Sequence, residues 1–82
     1  MALYYFHLHE CGSVWQDDEG REFAGIDEAI AAATAGARDV MSHEIRAGKL
    51  CLSCYVEIAG LGGTEIARVP FRDAIKLSGL PH

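Results

Sequence analysis

The chain has 82 residues, half of them hydrophobic and 23% charged, with a net charge of −5 and a pI near 5.2. That length fits one domain, domains running from about 50 to 250 residues, and the composition is globular rather than disordered. The seven Lys and Arg (Arg21, Arg38, Arg46, Lys49, Arg68, Arg72, Lys76) are scattered, which argues against a nucleic-acid partner held through phosphates.

Nothing approaches the roughly 18 apolar residues of a membrane span. The start, M-A-L-Y-Y-F-H, lacks the cationic and apolar regions of a signal peptide. Three cysteines, at positions 11, 51 and 54, do not make a secreted disulfide framework. A cytoplasmic protein with reduced thiols is expected.

Residues 2–9, A-L-Y-Y-F-H-L-H, are aromatic and alternate as a strand does. Tyr4, Phe6 and Leu8 fall on one face; Leu3, Tyr5, His7 and His9 fall on the other. E10-C-G-S13 supplies turn chemistry, and Ser13–Gln16 returns as a short second strand. D17-D-E-G20 reads as a turn whose glycine takes a positive φ, after which Arg21–Phe23 resumes the strand.

A helix is predicted over residues 27–47. Asp27 is the expected N-cap and Glu28 adds favourable charge to the first turn. Ile26, Ile30, Ala33, Ala37, Val40 and Met41 recur at spacings of three and four and form one stripe. Gly48 stands where a left-handed C-terminal cap belongs. The small residues Ala29, Ala33, Gly36 and Ala37 predict a helix backbone lying close on its neighbour, Gly36 being justified by that close packing. Ala31, Ala32 and Ala35 fall on the solvated side.

Leu52, Cys54, Val56 and Ile58 alternate as the apolar face of a third strand. Gly60–Gly63 is a hairpin connection, and Thr64–Phe71 a fourth strand with Ala67, Val69 and Phe71 facing inward. Pro70 restricts that strand to an edge or to its own end. Residues 73–77 are ambiguous and 78–82 read as a frayed tail. The result is one α+β domain of order ββαββ, with a helix on a four-stranded antiparallel sheet ordered 2-1-3-4. One helix covers one face, so the other is expected to expose Leu3, Tyr5, His7, His9, Cys51 and Tyr55.

Y4-Y-F-H7, then D17-D-E-G20, an E-x-A run into an Ala/Arg-rich helix, an E-I strand, a glycine turn and V69-P-F-R-D-A74 resemble a family of small bacterial proteins classed as a domain of unknown function. The resemblance covers nearly the whole chain and implies the fold, with no activity, substrate or partner. The family pattern places an acidic residue before the glycine near Cys11-Gly12, and the resemblance implies that Cys11, Cys51 and Cys54 are departures particular to this chain.

Candidate chemistry is sparse. Asp17, Asp18 and Glu19 lack the alternating spacing of a calcium loop and are expected to form a solvated turn. His7, His9 and Cys11, at every second position, would share one face of an unbroken strand, and Cys51-x-x-Cys54 offers two more soft ligands. On a strand, though, residues three apart point to opposite sides, and Leu52-Ser53 supplies no turn residue. No metal or cofactor is therefore expected. Ser13, Ser42 and Ser53 have no nucleophile elbow, and G60-L-G-G63 lacks a phosphate-loop context, so no catalytic residue is assigned and an enzyme is not expected.

The amphipathic surface of Leu3, Tyr5, His7, His9 and Tyr55 is the expected interface, of a kind enriched at protein contacts. It points to a protein-binding or regulatory module with a protein partner or a second copy of itself. Two other readings are an antitoxin-like neutraliser of a basic RNA-cleaving partner, on layout alone, and a small His/Cys metal protein.

Overall fold

The structure, a computed structural model, describes residues 1–79. Five strands and two helices follow in order: β1 (Ala2–Glu10), β2 (Ser13–Trp15), β3 (Arg21–Phe23), α1 (Ile26–Arg46), β4 (Tyr55–Ala59), β5 (Glu65–Pro70) and the single turn α2 (Phe71–Ala74). The α+β class and the one long helix on an antiparallel sheet agree with the sequence. The expected count of four strands in order 2-1-3-4 does not. The sheet has five strands, ordered β2-β1-β4-β5, with β3 also paired to β1.

The extra strand arises from an interruption. β2 pairs with the C-terminal part of β1 (Leu8↔Trp15, Glu10↔Ser13) and β3 with its N-terminal part (Ala2↔Phe23, Tyr4↔Arg21). The intervening residues 16–20 leave the ladder opposite Phe6 and turn away from it. Two short segments thus share work that one edge strand would do, which shortens the exposed edge.

On the helix side of the sheet lie Tyr4, Phe6, Leu8, Phe23, Val56, Ile58, Ala67 and Val69. Against them α1 buries Ala29, Ala33, Ala37 and Met41, one residue per turn. The row is largely of methyl side chains, as the spacing of the alanines predicts, and α1 is within one residue of its expected span. Two expectations about that face fail. Ile30 is exposed, and Gly36 points into open space with nothing near its missing side chain. The buried row runs i, i+4 through Ala29, Ala33, Ala37 and Met41, and Ile30, about 100° round the helix from Ala29, falls beside that row at the surface.

Asp27 is not the cap either. Gly25 is the N-cap and offers no side chain, while Glu28 reaches back to accept the Ala24 N–H at 3.1 Å. At the other end Gly48 has φ +86, as expected. Gly48 N–H donates to Ile45 O at 2.9 Å and Lys49 N–H to Glu44 O at 3.0 Å, the paired bonds of a Schellman stop.

The third strand starts later than its alternation predicts, at Tyr55, because residues 51–54 form a bend. Phe71 does face inward, but from α2 rather than from a strand. It is fully buried, its N–H donates to Cys54 O at 2.9 Å, and Arg38 Nε donates to Ala74 O at 2.7 Å, tying α2 to α1. Of the tail expected to fray, residues 80–82 lie outside the described ones. No helix among the described residues is long and apolar enough to cross a membrane.

Candidate functional sites: an open sheet face and a three-thiol cluster

The face of the sheet away from α1 holds Leu3, Tyr5, His7 and His9 of β1, Val14 of β2, Tyr55 and Glu57 of β4 and Arg68 of β5. All five residues of the expected interface are on it. They do not form one uncovered surface, because the acidic turn folds over half of them. Asp17 Oδ2 accepts the Phe6 N–H at 3.0 Å, and Asp17 Oδ1 accepts the N–H groups of Glu19 and Gly20 at 3.0 and 3.1 Å. The Asp17 N–H in turn donates to His7 Nδ1 at 3.0 Å, which places the proton of a neutral His7 on Nε2.

Gly20 then sits against the face at φ +75. A Cβ there would meet Tyr5 Cε2 at 3.0 Å and Leu3 Cδ1 at 3.1 Å. Asp17 is consequently half-buried and serves as a hydrogen-bonding anchor, while Asp18 and Glu19 are exposed as a solvated turn should be. Partial burial pushes the Asp17 carboxyl up, but the three backbone N–H bonds outweigh it and hold the group below its usual range.

The other half of the face stays open among the described residues. His9 and Tyr55 stack at 4.4 Å between centroids, and Arg68 lies 4.1 Å over the Tyr55 ring. His9 Nε2 meets Glu57 Oε1 at 2.7 Å, and Arg68 is bound by Glu65 at 2.9 Å. These pairs engage the polar groups of His9, Glu57 and Arg68, and the Tyr55 ring is stacked by His9 and capped by Arg68, so the face is half-buried rather than bare. β2 lies at the sheet margin with every residue exposed. Val14 is on the open face at 51% exposure; Trp15, on the helix side, is 64% exposed because α1 does not reach that margin.

A second site lies at the end of the sheet where β1 turns into β2. Cys11-Gly12 is the two-residue loop of that hairpin, with Gly12 at φ +78. After the α1 stop, the chain is held by Glu44, whose Oε1 accepts the Cys51 N–H at 3.3 Å. Glu44 itself is only 8% exposed. Leu52-Ser53 bends, and Cys54 enters the core at 2% exposure. The three sulfurs lie within 4.8 Å of one another, with Cys11 Sγ 2.6 Å from Cys51 Sγ. Ser53 Oγ is 3.2 Å from Cys51 Sγ and 3.7 Å from Cys11 Sγ.

This corrects two expectations. Cys51 is not on the open face, and Cys51 and Cys54 do not diverge on a strand, because the bend turns both thiols towards Cys11. Nor do His7 and His9 join Cys11: β1 ends at Glu10, and both imidazoles are engaged elsewhere on the face. The environments of the thiols differ sharply. Contact with the Cys11 thiol, helped by Cys54 and Ser53, holds Cys51 down at about 6, whereas burial pushes Cys54 up to about 12.

The family model described as a domain of unknown function, DUF6894, matches residues 3–72. The chain belongs to that family. The match takes in α1, all three cysteines and the strands from Leu3 onward, and the family description names no activity. No match was found among curated proteins or among solved structures.

Two features escaped a reading of the sequence. The thiol cluster requires a bend at Leu52-Ser53 that carries no glycine or proline signal. Trp15, within Ser13–Gln16, carries only the signal of a strand residue, since nothing local says that the helix stops short of it.

Proposed function

We propose that this family member is a protein-binding module, and that its contact surface is the β2 edge of the sheet, with Trp15 on one side and Val14 on the other, continuing onto the open face at His9 and Tyr55. The observation that carries the reading is the exposure of Trp15, the single tryptophan of the chain, at 64% on an edge strand. Trp is the residue most enriched at energetic centres of protein interfaces. An edge strand also offers main-chain groups along which another strand can pair. Relative to the surface expected from alternation alone, the centre of the contact moves away from Leu3, Tyr5 and His7, where the Asp17–Gly20 turn lies, towards His9 and Tyr55.

A second copy of the chain is the simplest occupant, since a strand edge can pair with itself across a two-fold axis. Sedimentation over a wide concentration range tests this, with Trp15 emission recorded on the same samples. Self-association is expected with a blue shift of the emission as the indole leaves water, and both changes should vanish in Val14→Lys. Monomeric sedimentation at every concentration with unshifted emission would exclude the second copy as the occupant. The net charge of −5 then favours a basic partner, with the neutralised RNA-cleaving protein the specific case to test by titration against Trp15 emission.

A further inference from the structure

We infer that Cys11, Cys51 and Cys54 form a binding site for one thiophilic metal ion, zinc(II) foremost, with three thiolate ligands and a fourth position open to water. The site does not depend on the proposed contact surface. Its three sulfurs come from two loops, 40 residues apart between Cys11 and Cys51, and lie within 4.8 Å of one another. A tetrahedral zinc with bonds of about 2.3 Å needs sulfurs roughly 3.8 Å apart. Cys54 is fixed by the core, and Cys11 and Cys51 stand on loops nearer solvent, so small side-chain rotations open their 2.6 Å contact to that spacing and leave an entry path.

The number of thiols decides between a metal and a simple redox pair. A disulfide between Cys11 and Cys51 would use two sulfurs and give the Cys54 sulfur no part, yet the bend that begins β4 carries it into the cluster. The donor set is wholly sulfur, which selects zinc, copper(I) or cadmium over magnesium or calcium. Ser53 Oγ, within reach of both Cys11 and Cys51, is placed to donate to a thiolate from outside the coordination sphere. Binding forms three metal–sulfur bonds and releases to the buffer every proton still held by the thiols, with no change of oxidation state.

Cobalt(II) is the probe of choice, titrated under anaerobic, reducing conditions into the full metal-free chain carrying no polyhistidine tag. Thiolate-to-cobalt charge transfer and the intense visible bands of tetrahedral cobalt should saturate at one ion per chain and be displaced by zinc. Cys11→Ser, on an exposed hairpin loop, and Cys51→Ser, partly buried at the edge of the core, should keep native circular dichroism and lose at least about 100-fold in affinity. In the unaltered chain, bound zinc should slow alkylation of Cys11 and Cys51 and raise the thermal midpoint, a readout that needs no variant. Absence of saturable cobalt spectra overturns the assignment. So does a Cys11→Ser chain that binds as tightly as the parent, or quantitative Cys11–Cys51 disulfide formation in a chain that takes up no cobalt.

Discussion

Asp17 and Phe6 are 11 residues apart in sequence, yet the carboxylate of one accepts the backbone N–H of the other at 3.0 Å. The bond falls in the gap between the β1–β2 and β1–β3 pairings, where β1 has no backbone partner on that edge. A side chain therefore completes the ladder, and the same carboxylate holds the Glu19 and Gly20 amides. The acidic cluster owes its structural role to this one residue.

Asp17→Ala should lower stability by about 2 kcal/mol, the scale of hydrogen bonds to a charged acceptor. For a domain of this size that is roughly a 10 °C drop in thermal midpoint. Because the folded group is held below its usual range, its charge-dependent contribution is complete above about pH 4 and disappears as pH falls through the lowered value. The gap in midpoint between the parent and Asp17→Asn should thus be constant near neutrality and shrink in more acid buffer. Thermal scans at matched ionic strength measure it, and a gap that widens in acid would contradict the assigned role.

Gly20 and Gly36 should respond oppositely to the same substitution. Gly20→Ala places a methyl group at φ +75 against Tyr5, Leu3 and the Tyr4 carbonyl, and should cost at least about 1–2 kcal/mol. Gly36→Ala meets open space within a helix and should stabilise by up to about 1 kcal/mol. Chemical denaturation of the two variants beside the parent checks the signs. Destabilisation by Gly36→Ala would restore the close-packing role that its sequence position suggests.

The alanine row of α1 gives a sharper contrast. Ala33 is buried against the sheet, whereas Ala35 faces outward. Ala33→Glu puts an unpaired carboxylate into the core and should abolish the cooperative transition seen by circular dichroism. Ala35→Glu should stay within about 0.5 kcal/mol of the parent. An unfolded Ala35→Glu chain would show that α1 is covered on its outer side.

Phe71 and Trp15 invert the usual expectation that the larger aromatic is the structural one. Phe71→Ala removes a fully buried ring and should cost about 3–5 kcal/mol, enough to unfold much of a small domain. Trp15→Ala should change stability by no more than about 0.5 kcal/mol. Emission of Trp15 in the dilute parent should be red-shifted and open to acrylamide quenching. A blue, protected indole in a monomer would mean that residue 15 is covered within the chain.

Local physics made much of this molecule readable from its residues. Strict alternation from Tyr4 to Leu8 fixed which side of β1 meets the helix, since side chains of a strand must alternate. Gly48 and the run of helix formers before it bounded α1, and Pro70 marked the end of β5. The polar network of the open face was not readable, because His9–Glu57 and Arg68–Tyr55 depend on cross-strand register. Neither was the exposure of Ile30, which depends on which line along the helix surface meets the sheet.

The candidate sites divide in the same way. Sequence alone determined the residue types of the open face, the acidic turn and the presence of three soft ligands, because these follow from composition and period. Only the tertiary structure decided that Asp17 folds its turn over Leu3 and Tyr5, that Trp15 lies beyond the reach of α1, and that Cys51 and Cys54 turn together onto Cys11. Each of those outcomes requires segments distant in sequence to be brought into contact. Local propensity has no term for such contacts, and the burial of one core sets all of them at once.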